Sequence, residues 1–106
     1  KTMGAEAEIK IDVGYPFVLN DEKLHPVAKA KAAEFMGTAN VTETELRMGA
    51  EDFGYYAQQI PACFYRLGTM NKSKGITAGV HTPVFNIDED AIEIGIGMMA
   101  YFGSSI

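Results

Sequence analysis

The sequence has a single cysteine, Cys63, among its 106 residues. One thiol excludes an internal disulfide and fits a reducing compartment, so the expected setting is the cytoplasm. Basic residues are also scarce. Nine Lys and Arg stand against 14 Asp and Glu, a net charge of −5. Nucleic-acid binding draws on an excess of Lys and Arg, so nucleic acid is not the expected partner. No apolar run reaches the roughly 18–20 residues that a bilayer-spanning helix needs, and no membrane partner is expected. The first residues lack the basic start and apolar middle of a signal peptide. There is no CxxC pair, no HExxH, no Ser/His/Asp set, no internal repeat and no low-complexity tract. What is present is a hydrophobic content of 47%, enough for a core and too much for disorder. The length suits one ordinary domain or a piece of a larger one. The chain starts on Lys1 and is in a strand pattern within a few residues, as expected of a cut from a longer protein.

Residues 5–13 alternate strictly, with Ala5, Ala7, Ile9, Ile11 and Val13 on one face and Glu6, Glu8, Lys10 and Asp12 on the other. Period two predicts a strand with one wet face, typical of an antiparallel sheet. Such a strand needs partners from elsewhere. After Gly14-Tyr15-Pro16, Asn20-Asp21 is a good cap for a helix over 22–36, which Gly37 closes. Residues 40–47 predict a weaker strand. A helix over about 50–59 follows, with Phe53, Tyr56, Ala57 and Ile60 on one face, and Pro61 ends it. Residues 62–67 predict a short aromatic strand, 69–79 a polar loop, and about 88–102 a helix apolar nearly all round and therefore deeply buried. The order suggests an α/β layer, helices packed on a sheet, preceded by a strand of different character.

His81 follows a glycine-containing loop and precedes Thr82-Pro83, where the proline restricts the backbone just after the imidazole. A rigid imidazole suits a metal ligand or a general base; it equally suits a structural histidine hydrogen-bonded in its loop. Glu51 and Asp52 open a helix. There they can simply favour the helix dipole, or they can support a metal and substrate site. Asp88, Glu89 and Asp90 read as helix-opening acids, and Asn86 with Glu89 resembles a capping box. Cys63 reads as a buried, inert thiol, and His25 as a surface or partly packed side chain. Gly95-Ile96-Gly97 mimics a dinucleotide motif but lies inside a helix, where its glycines allow close packing instead. One histidine and some acids do not make a catalytic zinc site, which takes about three protein ligands.

Several stretches in order carry a resemblance: Met48-Gly49-Ala50-Glu51-Asp52-Phe53-Gly54-Tyr55-Tyr56, Ile60-Pro61, Phe64-Tyr65-Arg66-Leu67-Gly68, and His81-Thr82-Pro83-Val84-Phe85-Asn86-Ile87-Asp88-Glu89. Together they resemble the C-terminal end of a metallopeptidase family, the branch of N-acyl-amino-acid amidohydrolases, hippurate hydrolases and plant indole-acetyl-amino-acid hydrolases. Tyr15 to Asp21 resembles the passage where that family's chain leaves its lid domain. The resemblance implies a metallopeptidase-like α/β catalytic domain with helices on a mixed sheet, and an inserted antiparallel lid that often makes a homodimer. Residues 1–18 would be the lid's last strand and return linker, and 19–106 the C-terminal segment of the catalytic domain. It also implies two divalent metal ions, zinc first, with manganese, nickel or cobalt in some members. His81 would be a metal ligand, with Glu51 and Asp52 near the metal and substrate pocket. The substrate would be an N-acyl amino acid or small peptide, cleaved at its amide bond. The general base and the other metal ligands would lie upstream, so no catalytic residue is expected in this chain, and the isolated chain should be inactive without the missing N-terminal part. A rival reading is a non-enzymatic α/β module that self-associates through its exposed N-terminal strand.

Overall fold

The computed structural model describes residues 3–4, 6–45, 47 and 49–106. Ala5 and Leu46, inside two predicted strands, and Met48, at the head of the acidic motif, lie outside the described residues, as do Lys1 and Thr2. Three α-helices form: α1 (Leu24–Met36), α2 (Phe53–Ala57) and α3 (Asp90–Ser105), with short 3-10 turns at Thr38–Asn40 and Lys72–Lys74.

Capping sets the limits of α1. Asp21 Oδ1 accepts from Lys23 N at 3.0 Å and Leu24 N at 2.8 Å, and Asp21 O accepts from His25 N at 2.9 Å. Asp21 is therefore the capping residue of the Asn20-Asp21 pair. Pro26 falls in the first turn, where no N–H is required. At the other end Gly37 takes a positive φ of 86° and donates to Ala33 O, and Asn40 Nδ2 donates to Met36 O at 2.8 Å. The second helix is shorter than its apolar spacing predicts, because residues 58–60 leave it in turns before Pro61.

Helix α3 packs through two interior glycines, Gly97 against α1 and Gly95 against the 62–67 segment. The ring of Phe35 stacks on Tyr101 at 5.6 Å and reaches so close to Gly97 that an added Cβ would meet Phe35 Cζ at 2.8 Å. Leu67 approaches Gly95 similarly, at 3.0 Å, and Tyr65 meets Phe102 edge-on at 5.6 Å. The glycines that mimic a dinucleotide motif are thus packing sites. Each costs about 1 kcal/mol of helix propensity relative to alanine, and close approach of a neighbouring ring or Leu offsets it.

No strand ladder forms among the described residues; the bridges are the isolated pairs Phe17–Ala50 and Asn71–Ile76, both antiparallel. The alternation in 6–13 is present but unused: Ile9 and Ile11 are each 81% exposed. A strand exists only by pairing, and a lone amphipathic segment has nothing to gain from it. The strands predicted over 40–47 and 62–67 likewise form no ladder among the described residues. A partial frame survives around residues 16–21. Glu51 N donates to Pro16 O at 3.1 Å beside the Phe17–Ala50 bridge. On the other side Asn20 grips the backbone of Phe64, Nδ2 to Phe64 O at 3.0 Å and Phe64 N to Oδ1 at 2.7 Å, next to Asp21 N on Ala62 O at 2.9 Å. The Asn20 amide does here what a neighbouring strand's peptide group does in a sheet. Asn20→Ala should therefore cost about 1 kcal/mol of stability, read as a lower urea midpoint at an unchanged slope.

The deep burial predicted for α3 is not found. Among the described residues the buried hydrophobic side chains are Ala28, Ala62, Ala91 and Met98, while Ile92, Ile96 and Met99 are at least half exposed. The physical reason is missing cover. The accessible surface is 9112 Å², against roughly 5,800 Å² for a compact protein of this mass. The radius of gyration is 19.0 Å, against about 13 Å for a compact chain of this length. An all-round apolar helix has its sequence written for neighbours on every side, and α3 has them on one.

Candidate functional site

His81 sits in the middle of the loop 77–87, which joins the Asn71–Ile76 bridge to the start of α3. Its φ is +65°, a left-handed conformation that favours glycine and that, among other residues, Asn, Asp and His adopt most often. Two local bonds shape the loop around it. Thr82 Oγ1 donates to Gly79 O at 2.8 Å, and Phe85 N donates to Thr82 O at 3.1 Å, closing a four-residue turn with Pro83 in its second position. Proline pre-sets the φ that this position requires, so the stiffening anticipated from Pro83 takes the form of a turn. The imidazole is exposed.

Glu51 and Asp52 stand before α2 and are both exposed. Glu51 is fixed by its backbone, which donates to Pro16 O and accepts from Gly54 N. Its Oε1 takes Asp52 N at 3.2 Å, while the Asp52 side chain makes no cap bond. The helix-opening reading of these acids therefore holds for Glu51 in part and leaves the Asp52 carboxylate uncommitted as a cap. Glu51 also lines an open groove of about 690 Å³ together with Glu43, Glu45, Arg47, His25 and Cys63. Neither His81 nor Asp52 lines it. Desolvation pushes the Cys63 thiol up, away from the thiolate, in keeping with an inert cysteine. His25, on the first turn of α1, is half-buried. Among the described residues no group of three His, Cys, Asp or Glu is placed to hold a metal ion. His81 and the acidic motif thus share no metal-holding group among the described residues.

The polar loop after Gly68 is more ordered than its composition suggests. Asn71 Oδ1 accepts from Ser73 N at 3.1 Å and Ser73 Oγ at 2.6 Å, capping the turn Lys72–Lys74, and Gly75 closes it with a φ of 71°. Lys74 Nζ reaches across to α3, donating to Asp88 Oδ1 at 2.7 Å and Asp90 Oδ2 at 2.6 Å. The capping box suggested by Asn86 and Glu89 does not form. Asn86 Oδ1 accepts instead from the adjacent Ile87 N, and Asp88 O accepts from Ala91 N. The Lys74 ammonium and the Asn71 amide hold the Asp88 carboxyl below the usual carboxylate range, and Asp88 in turn raises the Lys74 pKa. A carboxyl with a depressed folded pKa adds stability that is present above its unfolded value, about 3.9, and is lost as pH falls through the folded one. The Asp88 carboxyl should accordingly titrate below its ordinary value by NMR, and Lys74→Met should move it back up.

A sequence profile of the Peptidase family M20/M25/M40 matches residues 4–104, nearly the whole chain. The chain belongs to this family. Two relatives from Arabidopsis thaliana are IAA-amino acid hydrolase ILR1-like 4, 34% identical over 86 residues, and ILR1-like 6, 35% identical over the same length. Each alignment covers 81% of this chain, and 20% and 18% of the respective relative. A probable hydrolase of Synechocystis sp., sll0100, is 33% identical over 102 residues, covering 95% of this chain and 26% of that protein. This chain therefore spans about a fifth to a quarter of the length of these relatives. No solved structure matches. The family agrees with the resemblance carried by the ordered motifs. The described residues contain no helix long and apolar enough to cross a membrane.

Proposed function

We propose that this chain forms the C-terminal part of a metal-dependent amidohydrolase that cleaves the amide bond of N-acyl amino acids or small peptides. The observation that carries the reading is the family match over residues 4–104, with relatives named as hydrolases of an amino-acid conjugate. Residues 1–18 then belong to a lid and its return linker, and 19–106 to the catalytic domain. The amphipathic 7–13 segment, which joins no strand ladder among the described residues, and the exposed apolar faces of α3 support this division.

His81 suits one donor position: an exposed imidazole on a loop stiffened by the Thr82–Phe85 turn. Among the described residues it joins no group of three His, Cys, Asp or Glu placed to hold a metal. The chemistry supplied by divalent ions in such a site, zinc before manganese, nickel or cobalt, is polarisation of the acyl carbonyl and activation of water. Glu51 and Asp52 contribute carboxylates that orient substrate or support the site. The general base comes from the upstream part. The assembly would be a cytoplasmic homodimer.

One outcome follows for the chain as it stands. Supplied with Zn²⁺ and an N-acyl amino acid, the 106-residue chain should hydrolyse no faster than Zn²⁺ alone. Turnover well above that blank would sink the division of the machinery between this chain and an upstream part.

A further inference from the structure

The loop 77–87 leaves and re-enters the fold at two points that meet on one side chain. At its entry, Asn71 and Ile76 exchange both backbone hydrogen bonds, each 2.9 Å. At its exit, Asp88 N donates to Thr69 O at 2.9 Å, and Asn71 Nδ2 donates to Asp88 Oδ2 at 2.6 Å. Asn71 thus fastens the entry with its backbone and the exit with its amide, while its Oδ1 holds the turn that carries Lys74. Lys74 adds a second clasp on Asp88 and reaches Asp90. Between the two ends, residues 79–86 are all exposed, so burial does not hold the loop. Its internal bonds, Thr82 to Gly79 and Phe85 to Thr82, each span three residues and shape the loop without attaching it to the rest. A solvent-exposed loop of this length keeps a defined direction only if its base is closed.

We propose that Asn71 and Lys74 are positioning residues: by closing the base of the 77–87 loop onto Asp88, they fix where His81 is presented. Asn71→Asp keeps the acceptor oxygen for the Lys72–Lys74 turn but removes the donor to Asp88. Lys74→Met removes the second clasp, and Lys74→Arg keeps a cationic donor there. The significance of the loop rests on reading His81 as a metal donor, but the geometry does not.

The test is backbone ¹⁵N order parameters on the labelled 106-residue chain. In the parent, residues 79–82, 84 and 85, which carry an N–H, should lie near about 0.85, the value of rigid backbone. In Asn71→Asp and Lys74→Met they should fall below about 0.6, with α1 and α3 unchanged, and Lys74→Arg should restore them. A parent loop already below about 0.6 would overturn the proposal. So would loop values unmoved in both variants, or a fall shared equally by the helices, which marks a general loss of structure. No metal enters the measurement, so failure of the metal assignment for His81 cannot mimic either result.

Discussion

A Gly54→Ala chain should be destabilised by about 1–3 kcal/mol, with residues 16–17 released from α2. Gly54 is buried, and an added Cβ would stand 2.8 Å from Phe17 O, 2.9 Å from Pro16 Cγ and 3.0 Å from Pro16 O. Two of these are backbone atoms, which cannot swing aside as a side-chain tip can. Relief requires moving the Pro16–Phe17 peptide, and that peptide also carries the bond from Glu51 N and the Phe17–Ala50 bridge. The damage therefore spreads from one methyl group to the frame that holds the acidic motif. A chain with this much uncovered surface has little stability to spare, so the same substitution weighs more here than in a compact domain. Gly68→Ala is the control, since nothing lies within 4 Å of its added Cβ. It should stay within about 0.5 kcal/mol of the parent. Urea unfolding followed by circular dichroism reads both; equal midpoints for the two variants would contradict the packing role of Gly54.

The helices could be read from sequence because their signals are local. Asp21 and Gly37 bracket α1 as capping chemistry requires, and the glycines inside α3 do serve close packing. The sheet could not be read as formed. Alternation in 7–13 tells which face would be buried, not whether a neighbouring strand is present, and no ladder forms there among the described residues. The apolar girth of α3 misled in the same way, because Ile92, Ile96 and Met99 remain at least half exposed. Within the site, His81 and the Glu51–Asp52 pair stood out by motif, whereas the groove that Glu51 lines with His25 and Cys63 left no mark in the sequence. Asn20 was read as part of a cap, yet it binds the backbone of a residue 44 positions away. Side-chain bonds of that span have no periodic signature. Asn71 had a weak local one, an asparagine followed by Ser73, Lys74 and Gly75, which is the pattern of a capped turn.

If His81 is the metal donor proposed above, replacing it in the full-length protein should lower kcat/KM for an N-acyl amino acid by more than about 100-fold, since a lost donor does at least as much harm as a lost supporting contact. The backbone helps to separate this from damage to the fold. At a φ of +65°, His81 occupies a conformation that favours glycine. His81→Gly therefore relieves backbone strain as it deletes the imidazole, and the variant should be at least as stable as His81→Ala. A chain that gains stability while losing metal and activity cannot owe the loss to misfolding. If His81 were only a structural histidine in its loop, the glycine variant would keep metal and rate, because its backbone suits the turn better than the parent's does.

The most direct measurement is bound metal per subunit, taken with the hydrolysis rate, for the full-length enzyme and its His81→Gly variant at equal folded concentration. His81 as a donor requires less bound metal in the variant and a rate lower by more than about 100-fold. Unchanged metal content and an unchanged rate would contradict it.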